Sequence, residues 1–412
     1  MTNIFKVLSG IILFSGSLFS QWYNVSPPGN DSSLFCIEVV TGNVVYAGKG
    51  SHGIMVKTTN GGANWSEVNT PSPFMVNQIS FLNETTGFIA TATGLYKTNN
   101  GGSNWSTLIT GGFLDLFFVS ESTGFAISGD FPAKIYRTTN GGANFSIFNM
   151  GSYPAYYGQA LCYVNPAEIF VLTFKPSVDS AIVFKCTNWD SGWVPVLKTK
   201  PACYDISFAD ANTGIVTGNF GSFRRTTDGG TTWQSLSPAG TTTIQACIMN
   251  SLLTGYFVCG NGAIYKTSNA GVNWFTQSSG TTFLLNDIDV LSNDNIGFTA
   301  GENGTILKTT NGGITSLLPS TGIIPDASYL EQNYPNPFNP ETKIRFALNL
   351  AGNVSLEIFD ISGRKAAGLF SGSLAAGSYE FSFNAEALAG GVYFYRLQAG
   401  AFTQVKKMIL IK

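Results

Sequence analysis

Lys57-Thr-Thr-Asn-Gly-Gly-Ala-Asn-Trp65 decides how this chain folds, because the chain writes it again and again. Close copies run from Lys97 to Trp105, Arg137 to Phe145, Arg225 to Trp233 and Lys266 to Trp274. A copy without its aromatic starts at Lys308, and a degenerate one runs from Lys185 to Trp193. Their anchors Asn60, Asn100, Asn140, Asn188, Asp228, Asn269 and Asn311 stand 40, 40, 48, 40, 41 and 42 residues apart. Each unit reads as four short strands. In the second they are Val76–Leu82, Thr86–Thr93, Gly94–Asn99 and Asn104–Leu108, separated by turn residues. The motif lies between strands three and four. Its Asn or Asp side chain is suited to accept bonds from turn N–H groups, its Gly to adopt positive φ, and its aromatic to wedge into the core. It is a hairpin staple, not a catalytic motif.

Four strands at a period near 40 residues are one propeller blade, so seven copies predict an all-β, seven-bladed β-propeller. The seventh copy lacks its aromatic and its last strand. Gln21-Trp-Tyr-Asn-Val25 resembles Asn64-Trp-Ser-Glu-Val68 and is expected to supply that outer strand, closing the ring. Composition agrees. Of 412 residues 47 are Gly and 13% are aromatic, while only 11% are charged. Disordered chains need more charge and fewer aromatics. Lys and Arg total 22 against 24 Asp and Glu, so there is no basic surplus for nucleic acid.

Lys6, the apolar run from Val7 to Phe19 and Ser20-Gln21 read as a signal peptide over residues 1–20, too short to span a bilayer. No other run approaches spanning length, so no transmembrane segment is expected in the mature protein. Export permits disulfides, and Cys247 and Cys259 stand on two runs joined by a short turn. Buried free thiols are nonetheless favoured for the six cysteines. Without a CxxC pair, and with a single histidine, His52, no metal or other cofactor is expected. The propeller is assigned to residues 21–319, a linker to 320–328 and a second module to 329–412. In that module the runs Lys343–Leu348, Val354–Asp360, Gly377–Phe383, Gly391–Leu397 and Val405–Ile411 suggest a small Ig-like β-sandwich.

Two resemblances extend this reading. Thr226-TDGGTT-Trp233 fits the Asp-box, or bacterial neuraminidase repeat, at every position, while the other copies carry Asn for Asp. The longer repeat is similar to seven-bladed propellers of the photosystem II assembly-factor type, over about residues 21 to 320. Tyr334-PNPFNP-Glu341, Ile358-FDISG-Arg364, Gly390-GVYFYR-Leu397 and Val405-KKMILI-Lys412 resemble a type IX secretion system C-terminal sorting domain. That resemblance implies a partner in the type IX machinery and a place outside the cell, or on the outer-membrane surface of a Gram-negative bacterium. Photosystem assembly is incompatible with such a place, so only the fold carries over from the first resemblance.

No catalytic residue is assigned. A sialidase clamp needs three arginines, but Arg137 and Arg225 occupy the repeat position of Lys57, leaving only Arg224 among the arginines before residue 320. Asp115, Asp205 and Asp287 share one strand position with Gln78, and such recurrence argues for a hydrogen-bonding role over a catalytic one. Asp289 follows on the same strand face as Asp287. His52 reads as a surface-loop residue rather than a triad base. Irregular loops collect on the face opposite the staples. There Phe131, Tyr153, Tyr156, Tyr157 and Phe220 are candidates to stack on sugars or contact a protein. Arg224, which replaces an apolar residue of the repeat, is expected to pair with an acid or reach a ligand. Asp115 and Asp205 complete the candidate ligand-binding set. The leading expectation is a non-catalytic binding or adhesion module for polysaccharide or protein. The alternative is an extracellular glycoside hydrolase using channel-mouth carboxylates.

Overall fold

The computed structural model describes residues 22–29, 31–149, 156–166, 168–187, 189, 192–292, 295–313, 325–350, 352–374, 376–385 and 388–412. The expected leader 1–20, the anchor Asn188, Tyr153 and linker residues 320–324 lie outside them.

Between Tyr23 and Thr309 the described residues form seven four-stranded antiparallel sheets. The second is a simple meander of Val76–Phe81, Gly87–Thr91, Gly94–Thr98 and Ser106–Thr110. The innermost strands are Leu34–Val39, Val76–Phe81, Phe113–Phe118, Tyr157–Asn165, Cys203–Phe208, Ile244–Met249 and Leu285–Val290. Each packs against the next, and the seventh packs against the first. The sheets therefore stand around one axis as the blades of a propeller.

Burial falls from the axis outward: Gly87–Thr91 is buried throughout, while Ser106–Thr110 is largely exposed. Successive blades are glued by rings. Tyr46 stacks on Phe81 of the next blade at 4.0 Å, Phe88 on Phe118 at 3.5 Å, and Phe170 on Phe208 at 4.0 Å. This explains the Gly that opens strand two. A Cβ on Gly87, Gly124 or Gly214 would lie 2.5 Å from the ring of Phe81, Phe118 or Phe208. Only a residue without a side chain leaves that ring its place.

The staple is built as its residue types suggest, with one addition. In blade two Asn100 Oδ1 accepts from the Asn104 N–H at 2.8 Å, and Gly101 and Gly102 have φ of +64° and +89°. The addition is Thr98. Its hydroxyl donates to Asn100 Oδ1 at 3.0 Å and accepts from the Gly102 N–H at 2.9 Å. Thr58, Thr138, Thr226, Thr267 and Thr309 repeat the arrangement. The motif's cation reaches further still. Lys57 Nζ donates to the Gly101 carbonyl of the next blade at 3.0 Å, as Lys185 does to Gly229 and Lys266 to Gly312. Arg225 Nε donates to Ala270, and Lys308 closes the circuit on Gly61. The staple is thus also a lock between neighbouring blades.

The ring is closed by the N-terminal segment: Tyr23 and Asn24 pair with Lys308 and Leu307. Trp22 beside them is fully buried and donates Nε1–H to Gln277 Oε1 at 2.7 Å. It takes the place of the aromatic that the seventh copy lacks. The six cysteines, all among the described residues, form no disulfide. Cys247 stands opposite Phe257 and Cys259 opposite Ile244, so the two do not face each other.

The C-terminal module is two sheets around one core. One is Tyr329–Leu330, Glu341–Leu348 and Gly377–Asn384; the other is ordered Lys365–Leu374, Gly352–Asp360, Gly391–Ala399 and Phe402–Leu410. Ile344, Phe346, Leu356, Ile358, Leu397 and Met408 fill the space between them. Lys365–Leu374 is a strand that the sequence pattern does not announce. Its Ala366-Ala367-Gly368 run has no bulky residue to mark an alternation.

Candidate binding face and the axial carboxylates

Two regions hold the candidate side chains: the propeller axis, and the face carrying the loops between strands two and three and between blades.

An innermost strand has one edge paired with its own blade and the other turned to the axis, where its N–H groups need acceptors. Side chains of the same strand and of the preceding blade supply them. Asp115 accepts from the Leu116 N–H with one oxygen, at 2.7 Å, and from the Leu161 N–H of blade four with the other, at 2.6 Å. Asp205 does the same for Ile206 and for Cys247 of blade six, at 2.8 and 2.7 Å. Asp287 serves Ile288 and Ile37 of blade one, both at 2.8 Å. Blades four, six and one carry Ala160, Ala246 and Cys36 at the equivalent position and need that help. Three carboxylates thus serve six blades by alternation, and the odd blade, blade two, serves itself: Gln78 Oε1 accepts from the Ile79 N–H at 2.9 Å.

A second tier lies two residues on. Asp289 accepts from Val290 and from Val39 of blade one. Glu38 accepts from Phe81 of blade two, and the hydroxyls of Ser80 and Ser207 from Phe118 and Met249. Enclosure within the ring disfavours charge on these carboxyls. It raises Asp115 to about 7 and both Asp205 and Asp289 to about 6, against the lowering effect of the N–H bonds. Asp287 and Glu38 are also raised well above the ordinary carboxylate range, first by burial, with neighbouring carboxylates adding to it. Among the described residues no cluster of carboxylates, thiols and histidine has a metal-binding arrangement.

The loop face carries several exposed rings among polar residues. Phe220 is 62% exposed and Phe131 56%, and Phe131 lies 5.0 Å from exposed Tyr157 with the rings tilted at 36°. Phe35, Phe74 and Phe283 are exposed on loops or strand starts of the same face. Phe220 sits in the left-handed region, at φ 49° and ψ 39°. Blade seven makes the same turn with Asn303, at φ 52° and ψ 36°, a residue type that tolerates this region. The turn beneath Phe220 is tied down. Asn219 Nδ2 donates to Asp179 Oδ1 of blade four, and Thr243 at the start of blade six donates to Asn219 Oδ1.

The other candidates fall elsewhere. Tyr156 is only 9% exposed, packs into the core between blades three and four, and shares a hydrogen bond with Ser180. Arg224 donates to the neighbouring Phe223 carbonyl at 2.9 Å. It makes no ion pair with any described residue. Exposed His52 contacts Ser51 through Nδ1 and has no carboxylate beside it among the described residues. Sequence reasoning passed over Glu38, although it stands two residues beyond Cys36 on one strand face. It also passed over Asp179 and Thr243, which no repeat position marks.

The propeller is similar to many solved structures, of which three serve as examples. The first, "YCF48 bound to D1 peptide", has a TM-score of 0.59 and 16% identity, covering 71% of this chain and 98% of that one. YCF48 from Cyanidioschyzon merolae has a TM-score of 0.58 and 17% identity, over 70% and 98%. U3-55K has 0.56 and 8%, over 69% and 97%. At such identity the likeness is one of fold. No curated protein matches the chain. No helix of the described residues is long and apolar enough to cross a membrane. Residues 332–412 match the secretion system C-terminal sorting domain family, a signal for export by the type IX system to the cell surface or beyond it. The chain is thus a seven-bladed propeller, with a fold like that of YCF48, bearing a type IX C-terminal sorting domain.

Proposed function

We propose that this propeller is an extracellular, non-catalytic binding module, released or displayed on the outer membrane of a Gram-negative cell, that recognises a protein segment through its loop face. The observation that carries this reading is Phe220. A large apolar side chain is 62% exposed at a backbone conformation that Asn fills elsewhere in the ring. Exposure and left-handed backbone both work against folding; the hydrogen bonds of the turn hold the backbone but leave the ring in solvent. A partner that buries the ring would offset that exposure.

The surrounding residues favour a protein over a polysaccharide. Phe35, Phe74, Phe131, Phe220 and Phe283 present rings without a polar handle, suited to apolar side chains. The ring pair Phe131–Tyr157 is tilted rather than coplanar, so it offers no flat platform for a sugar. One structural neighbour is recorded with a bound peptide. A structural role for Asp115, Asp205 and Asp287 is favoured over hydrolysis because each recurs at one repeat position and bridges two blades through backbone N–H bonds.

The test is selection of displayed peptides on the immobilised full chain, alongside a glycan array and a search for new reducing ends in polysaccharide. Apolar peptides should emerge, and Phe220→Ser or Phe131→Ser should weaken them at least about tenfold. Glycan binding without peptide binding would replace protein by polysaccharide as the ligand. Turnover abolished by Asp115→Asn or Asp205→Asn would replace the reading altogether.

A further inference from the structure

The repeat acts as its own alignment, and one blade departs from it on the staple face. In the loop between strands one and two, most blades carry small or polar residues: Gly42-Asn43, Glu84-Thr85, Glu121-Ser122 and Ala211-Asn212. Blade six carries Leu252-Leu253, 56% and 43% exposed. In its staple turn Val272, also exposed, replaces Ala63, Ser103, Ala143 and Thr231 of other blades. Beside it Ala270 stands where Gly61, Gly101, Gly141, Gly229 and Gly312 stand elsewhere, and holds φ at 60°. Blade six thus gains apolar surface at four neighbouring turn positions, one of them against backbone preference.

The sorting domain of the same chain lies against this surface. Leu253, Val272, Ala366, Ala367 and Leu388 line a single groove. A Cβ on Gly368 would stand 3.6 Å from the Ser268 carbonyl, so the small-residue run brings strand Lys365–Leu374 close to the turn. Coverage follows. Ser268, Asn269 and Asn273 are partly covered, whereas Thr59, Asn60 and Asn64 of blade one and Asn99, Asn100 and Asn104 of blade two are exposed.

We propose that the staple end of blade six is a dock for the chain's own sorting domain, with strand Lys365–Leu374 and Leu388 as its occupant. Docking there holds the export signal on the face opposite the loops and leaves the loop face free. The proposal is independent of what the loop face binds.

Small-angle scattering of the full chain tests it. The variant Leu252→Asn, Leu253→Asn, Val272→Thr alters only exposed side chains, so its far-ultraviolet spectrum and melting should stay as in the parent. The parent should scatter as one compact particle. The variant's maximum dimension should grow by on the order of 10 Å, the reach of a short linker, and Gly368→Glu on the tail side should do the same. Phe74→Ser with Phe283→Ser, on the other face, should change nothing. Unchanged dimensions in both dock variants would overturn the proposal. So would a concentration-dependent dimer of the parent that the variants abolish, because the occupant would then be a second copy.

Discussion

Thr98 shows how much a single side chain does in a repeated turn. Its hydroxyl gives one bond to Asn100 and takes one from the buried Gly102 N–H. Thr98→Val keeps the shape and strands that N–H, so unfolding titrations should show a loss of about 1–3 kcal/mol. Phe220 has the opposite balance, since its conformation favours a small polar residue. Phe220→Asn should leave stability unchanged or raise it by about 0.5–1 kcal/mol, while peptide binding falls. That split between melting and affinity distinguishes a recognition residue from a structural one. If both fall together, Phe220 is holding the loop.

At the scale of elements, the two-residue strand Tyr23–Asn24 matters beyond its length, because it carries Trp22 into the seam between blades six and seven. Trp22→Ala should cost about 3–5 kcal/mol, and deletion of residues 21–26 should lower the melting temperature sharply. An unchanged melting point would contradict closure by this segment. The staple turn of blade six makes a converse prediction. Ala270 at φ 60° is the only non-glycine at this turn position among the well-matched copies. Ala270→Gly should therefore stabilise the propeller by about 0.5–1 kcal/mol in denaturant titration. A loss would mean that the methyl contributes more in the groove than the backbone gives up.

Across the whole molecule, the axial carboxyls bridge blades three and four, five and six, and seven through one to two, and make stability depend on pH. Asp115, Asp205 and Asp289 titrate near 6 to 7 in the fold, above the ordinary carboxylate range. A group held above its unfolded value binds its proton more tightly when folded. Its contribution is complete below the unfolded value and is lost as pH rises through the folded one. The melting temperature should therefore be higher near pH 5 than near pH 8, and Asp115→Asn should flatten the difference. A propeller that grows more stable from pH 5 to 8 would refute this reading.

Much of the molecule was legible beforehand. The period near 40 residues implies blades because four short strands cannot bury their faces except against identical neighbours. The truncated seventh copy and Trp22 announce ring closure. The ordered motifs after residue 332 mark the sorting domain. What only the tertiary structure decided is which side chains meet. Tyr156 and Tyr157 are adjacent in sequence, yet the strand pleat buries one in a seam and leaves the other beside Phe131. The recurrence of Asp115, Asp205 and Asp287 predicts a hydrogen-bonding role. Their partners, though, lie 46, 42 and 250 residues away, on blades carrying Ala or Cys at that position. Local pattern fixes how each unit folds. The acceptors of an axial edge belong to the neighbouring unit, and only closure of the ring brings them within hydrogen-bond reach.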